Sequence, residues 1–448
     1  MLKMWFCIDL VLESNLKNQY NMKMKKSWLC LFVWCLSFSL FAQSNKEIEG
    51  LTYKVKQTND WVFYSPQNPT IEVLVRNEQN VQAKAALNLQ VTTDDFKPVH
   101  KFAQSISLNK GDSTEADFSF SVSAPGFYRC TVSQEVNGIV KEIKKFNIGY
   151  EPEYIVSLPD NKPDLRKFWD ESLAELAKVA PEYKLTLIPD SSNNVRKLYK
   201  VSMKSFGGVE ISGYYSTPAK KGKYPAIISY MGYGSKPWAP KTNDNPDFVK
   251  FVLSVRGQGL QQPTNTYGDW ITYGIDSKEN FYYRGAFMDL VRAIDFVASR
   301  PEVNTKNIFA EGGSQGGAFT LAACALDHRI AAAAPFIPFL SDYPDYFKIV
   351  HWPGDVVKAA LAKQSGMTET QLYEILSYFD IKNLAGWIKC PVIMAAGLQD
   401  EVCPPHTNFS GYNRISTEKE YHINPTYGHD VPPTWWNLRM DFFKKHMK

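Results

Sequence analysis

The chain carries little net charge, few cysteines beyond its first residues, no internal repeat, no low-complexity tract and no second long apolar run. A formal charge of +4 over 448 residues is too small to argue for nucleic acid or an anionic membrane as partner. Much of the excess sits in Lys3, Lys17, Lys23, Lys25 and Lys26. Past residue 44 the cysteines shrink to Cys130, Cys324, Cys390 and Cys403, scattered without metal-type spacing. Buried thiols are the expectation, with Cys390 and Cys403 the one pair weighed as a disulfide. No segment after residue 41 is long and apolar enough to cross a bilayer.

What is present begins with an export pattern. Lys23, Lys25 and Lys26 form a basic region, Trp28 to Phe41 is an uncharged apolar stretch of 14 residues, and Ala42-Gln43-Ser44 offers a cleavage zone. The stretch is short for a membrane span, so residues 1–43 read as leader and signal peptide, with Met22 or Met24 as alternative starts. A periplasmic or secreted protein is expected.

An apolar content of 44% permits a sizeable core, and the length suggests about two to three domains. Residues 44–150 carry short alternating stretches separated by turn clusters: Thr70 to Val75, Ala86 to Val91, Ser113 to Phe120 and Phe127 to Val132. This spacing predicts an immunoglobulin-like β-sandwich. Residues 151–448 change to strands alternating with helices. Strands are expected at Pro225–Tyr230, Phe251–Val255, Asn307–Ala310, Pro391–Ala396 and Lys419–Asn424. Helices are expected at Leu165–Val179, at Phe281–Ala298 and at Trp435–Lys445. The fold class is therefore α/β, with a mainly parallel sheet covered on both faces and a helical insertion at about 341–385.

Gly312-Gly313-Ser314-Gln315-Gly316-Gly317 stands between a short buried strand and a run of helix formers. It contains Gly-x-Ser-x-Gly. Glycines beside a serine permit a sharp strand-to-helix turn that lifts the hydroxyl above the sheet and aims free helix N–H groups at the same point. Taken alone, the same letters also fit a glycine-rich loop. A serine nucleophile needs a base and an orienting acid, which follow it in the order acid, then histidine, in hydrolases with this turn. His429, after Gly428 in a loop between the last strand and the last helix, is the candidate base. His422 falls within a strand, His406 begins a helix, and His328 lies far from the helix start. His351 falls in the insertion, and His446 sits among lysines where solvation is expected. Asp400 lies just past the end of a core strand, where α/β sheets place active residues, and Glu401 is its rival. Tyr233, in the loop Met231-Gly232-Tyr233-Gly234, and Gln315 are positioned to offer backbone N–H groups to an oxyanion. Arg256 and Gln258 read as structural support, a guanidinium beneath a loop being able to hold several carbonyls.

Arg256-Gly257-Gln258-Gly259, Tyr282-Tyr283-Arg284-Gly285, the serine motif, Gly397-Leu398-Gln399-Asp400 with Cys403-Pro404-Pro405, and Gly428-His429-Asp430 occur in order. Together they resemble the acetyl xylan esterase and cephalosporin-C deacetylase family, carbohydrate esterase family seven, over about 153–448. The resemblance implies an α/β-hydrolase that removes acetyl groups from small sugars and short xylo-oligosaccharides. It implies Ser314, His429 and Asp400 as triad, Tyr233 and Gln315 as backbone donors, no metal or organic cofactor, and a homo-oligomer as an allowed assembly. Two departures bear on substrate range: Met231 replaces the family's usual histidine and Asp430 its usual glutamate. The extra N-terminal strands bear on assembly. Another serine hydrolase, such as a feruloyl esterase or peptidase, and an inactive glycan-binding relative are the alternative readings.

Overall fold

The computed structural model describes residues 50–241, 243, 245–363 and 366–448. The leader, signal and cleavage zone expected in residues 1–44 lie outside the described residues. No helix among the described residues is long and apolar enough to cross a membrane. The chain divides into two compact units. The smaller comprises Leu74–Ala83, Leu108–Thr114 and the segment up to Lys54, of which 50–54 are described. Within it the buried Asn77 amide donates to the carbonyls of Val81, Leu108 and Asn109 and accepts from the Gln79 N–H.

The larger unit holds the rest, including all but the end residues Ala83 and Leu108 of a five-stranded sheet ordered Val62–Phe63, Ile139–Tyr150, Gly126–Val136, Ala83–Thr93 and Pro98–Leu108. Leu87, Leu89, Val91, Cys130, Val132 and Ile148 alternate with more exposed neighbours and form its buried face. The strands Ile139–Tyr150 and Pro98–Leu108 were not foreseen. Neither strand buries a side chain over its first part, residues 98–105 and 139–145, so no continuous two-residue burial period marks them.

The dominant element is a nine-stranded sheet. Its order is Lys419–Asn424, Val392–Gly397, Ile330–Phe336, Val303–Gly313, Tyr224–Tyr230, Val249–Ser254, Glu210–Pro218, Arg196–Lys204 and Lys184–Leu187. The first six are parallel and the last three antiparallel. Ile308, Phe309 and Ala310 are fully buried, as expected of a strand covered on both faces. One face is covered by the helix Tyr282–Ala298, whose Phe287 stacks on the fully buried Trp169 of the helix Leu165–Ala177. The other receives Trp435, Phe442 and Phe443 of the helix Trp435–Lys445, packed with Ile227, Phe309 and Ile393. The segment 341–385 holds the helices Tyr343–Ile349, Gly354–Lys363, Glu369–Leu376 and Ile381–Leu384.

Tyr224–Tyr230 sits between two strands that both follow it in sequence, so its neighbours are reached by crossovers in opposite directions. That makes a topological switch point, and the crevice beyond the carboxyl ends of such strands is where open α/β sheets bind ligands. The loops after Tyr230 and Gly313 open there.

Candidate active site

Ser314 stands between the strand Val303–Gly313 and the helix Gln315–Leu326 with φ 57° and ψ −124°, a conformation costly for a residue with a side chain. Neighbouring groups hold it there. The Ser314 N–H donates to the Phe336 carbonyl, while its own carbonyl accepts from Gly317, Ala318 and Phe339. The flanking glycines are required sterically. A Cβ at Gly316 would lie 2.1 Å from the Tyr230 carbonyl oxygen, and one at Gly312 would lie 2.4 Å from the Gly316 oxygen. The turn is thus pressed against the end of the neighbouring strand, which brings the Tyr233 loop beside Ser314.

Asp400 is buried at the end of the strand Val392–Gly397. Its Oδ1 accepts from the backbone N–H groups of Val402 and Cys403, each at 2.8 Å, which leaves Oδ2 to face His429 Nδ1 at 2.8 Å. Glu401, the rival acid, is exposed. His429 occupies the loop between the strand Lys419–Asn424 and the last helix. Burial opposes a charge on its ring, yet the neighbouring Cys403 sulfur and Asp400 carboxylate outweigh it and lift the imidazole above its ordinary range. Burial also pushes the Cys403 thiol up and keeps it neutral, so the carboxylate is the charge that lifts the imidazole. The same sulfur lies 3.9 Å from Ser314 Oγ, so serine and histidine meet at one thiol.

Gln315 is the first residue of its helix, and its N–H has no intrahelical acceptor. Tyr233 is anchored by its hydroxyl, which donates to Asp269 at 2.5 Å and accepts from the Ile271 N–H. Gln258 ties the two loops: its Oε1 accepts from the Gly234 N–H and from Gln315 Nε2, and its Nε2 donates to Gln315 Oε1 and the Tyr282 hydroxyl. Met231, where the resembled family has histidine, is buried and takes a contact from the Ser254 hydroxyl at 3.7 Å.

Residues 153–447 match the acetyl xylan esterase (AXE1) family. The chain belongs to the acetyl xylan esterase family. It is 26% identical over 460 residues to Axe7A, an acetyl esterase of Xylanibacter ruminicola, covering 97% of this chain and 100% of that protein. Its fold matches the acetyl xylan esterase from Paenibacillus sp. R4 with a TM-score of 0.62 at 31% identity, over 66% of this chain and 98% of that one. Acetyl xylan esterase 1 from Thermoanaerobacterium sp. gives 0.61 at 30% identity over the same shares. The chain is accordingly a carboxylic ester hydrolase on an α/β-hydrolase fold.

In this esterase Arg256 does not hold an array of carbonyls. Its buried guanidinium grips Asp289 through Nε at 2.9 Å and Nη2 at 2.7 Å and reaches one carbonyl, that of Phe206. The Arg256 backbone N–H and the Ser205 hydroxyl complete the carboxylate's partners. Asp289 was missed, although a charge amid Phe287, Leu290 and Val291 on a buried helix face was the available signal. Removing one member of a buried pair leaves the other uncompensated, so Asp289→Ala is expected to cost about 3–5 kcal/mol, read as a lowered urea midpoint.

The other histidines stand apart from the triad candidates. His351 is exposed beside Asp355, His328 is exposed at a helix end, and His422 is half-buried in its strand. His406 begins the helix Pro405–Tyr412 and pairs with Asp94 at 2.8 Å. His446, expected to be solvated, is instead covered, its ring centroid 4.5 Å from that of Phe442. The four described cysteines are free and buried. An aromatic wall also went unforeseen. Phe339, whose N–H donates to the Ser314 carbonyl, stacks with Trp352; Trp352 meets Tyr233, and Tyr233 meets Trp270.

Proposed function

We propose that the esterase removes acetyl groups from acetylated xylo-oligosaccharides or related small sugars through an acyl-enzyme. The observation that supports this best is the 2.8 Å pairing of Asp400 with His429 next to a serine held at φ 57° on a helix N-terminus. Asp400 fixes the tautomer that presents Nε2 of His429 as base. Ser314 Oγ leaves the Cys403 sulfur for that nitrogen, loses its proton to it and bonds to the acetyl carbon. The Tyr233 and Gln315 N–H groups take the negative oxygen. The sugar oxygen then leaves with the proton from His429. Water, deprotonated by the same ring, adds to the acyl carbon, and the serine–carbonyl bond breaks to release acetate as the ring returns that proton to Ser314 Oγ. Arg256 and Gln258 touch no substrate in this scheme and support the loops. Export to the periplasm or medium is proposed on the leader pattern alone.

The aromatic wall favours a ring-shaped alcohol group, since sugar faces pack on such side chains. Acetate release from acetylated xylan, mannan and pectin fragments, beside p-nitrophenyl acetate, butyrate and ferulate esters, tests the reading. Acetyl esters should be cleaved at least about tenfold faster than butyrate, because each added methylene must be excluded from a small pocket. Equal or faster cleavage of the ferulate ester would favour a feruloyl esterase. Absence of hydrolysis on every ester would favour a glycan-binding role.

A further inference from the structure

The sheet formed before residue 150 touches the esterase part at residues 398–409, a segment that contains Asp400 and Cys403, and at Ile349, whose carbonyl accepts from Arg129. The contact beside Asp400 is unusually complete. Gln399 Oε1 accepts from the Asn147 backbone N–H at 2.7 Å, and Gln399 Nε2 donates to the Asn147 carbonyl at 3.2 Å. The side-chain amide therefore pairs with Asn147 as a neighbouring strand's peptide group would. Asn147 answers with its own amide, whose Nδ2 donates to the Leu398 carbonyl at 3.0 Å. Gln399 Nε2 also donates to the Pro425 carbonyl at 2.8 Å, and the Gln399 backbone N–H to the Tyr427 carbonyl at 2.9 Å. Pro425 and Tyr427 belong to the loop that carries His429. One residue thus joins the N-terminal sheet, the Asp400 turn and the His429 loop. Further along the segment, His406 pairs with Asp94, and Phe409 packs against Phe127 with ring centroids 5.8 Å apart.

We propose that this sheet is a brace for the acid of the triad, with Gln399 and Asn147 as positioning residues. The inference rests on the serine-esterase reading above. Asp400 Oδ1 is spent on its own turn, so the aim of Oδ2 at His429 depends on how that turn sits relative to the histidine loop. Gln399 fixes that relation, and Asn147 fixes Gln399. Errors of about 1 Å in such groups can cost a hundredfold in rate without touching substrate affinity.

The test uses the full chain. Gln399→Ala removes the three side-chain bonds; Asn147→Ala removes only the bond to Leu398 and leaves the strand's own backbone pairing intact. On p-nitrophenyl acetate, kcat should fall about tenfold or more for Gln399→Ala and about threefold for Asn147→Ala, with KM unchanged. The double variant should fall at least as far as Gln399→Ala, because the bond from Asn147 to the Leu398 carbonyl survives in that single variant. Far-UV circular dichroism at the assay temperature confirms that each variant is folded, so that lost kcat is not lost protein. Values of kcat within twofold of the parent for both variants would overturn the brace, as would a loss carried by KM. If Ser314→Ala is inactive while both variants match the parent, only the brace fails. If Ser314→Ala stays active, the serine reading itself fails.

Discussion

Ser314→Ala is expected to lower kcat for acetyl esters by about a millionfold, leaving roughly a thousandfold over the uncatalysed rate from the backbone donors and binding. Triad members act as a unit, so adding His429→Ala to it should remove almost nothing more. Quenched-flow mass spectrometry of the parent with p-nitrophenyl acetate should show one acetyl group on the peptide containing Ser314, absent in the variant. Cys403 is the rival nucleophile to eliminate, since its sulfur lies 3.9 Å from Ser314 Oγ and next to His429. Burial argues against it: the thiol is wholly covered and its pKa is raised, whereas a reactive cysteine needs a lowered pKa and access. Turnover in Ser314→Ala within a hundredfold of the parent, lost on adding Cys403→Ala, would transfer the chemistry to sulfur.

The residues proposed for the site stood out in the sequence because their constraints are local. Gly312 and Gly316 mark a turn that admits no Cβ, Asp400 follows a six-residue apolar strand, and His429 follows a glycine in a loop. The core strands around them read out as continuous apolar runs for the same reason. Ile330–Phe336 did not. Its Ala331 to Ala334 run favours helix by propensity, and becomes a strand because it is held between Val303–Gly313 and Val392–Gly397, with Ala334 opposite Glu311. The antiparallel strands Glu210–Pro218, Arg196–Lys204 and Lys184–Leu187 were likewise invisible, the last being exposed along its whole length. Cys403 looked like an ordinary buried thiol, and nothing in its spacing says that its sulfur reaches Ser314. Gln399 and Asn147 lie 252 positions apart, and no local pattern in either marks the contact.

Asp400→Asn is expected to lower kcat by about ten-thousandfold while keeping the fold, because the amide holds His429 in the wrong tautomer and cannot stabilise the imidazolium that forms. It should also move the pH profile, and the direction follows from the charge. His429 acts as base only when neutral, so kcat/KM rises with pH through its pKa. In the parent that pKa is raised, burial opposing the charge but Cys403 and Asp400 outweighing it. With the thiol held neutral, removing the Asp400 carboxylate removes the charge that favours the imidazolium, and burial is left to depress the pKa. The acidic limb of kcat/KM should therefore shift to lower pH, and the weakened variant should retain its residual activity further into acid than the parent does. Measuring both profiles with p-nitrophenyl acetate separates this from simple damage to the loop, which would lower the plateau and leave the limb in place. A limb that moves upward would mean that Asp400 does not set the charge on His429, and the assignment of the acid would have to pass to another residue.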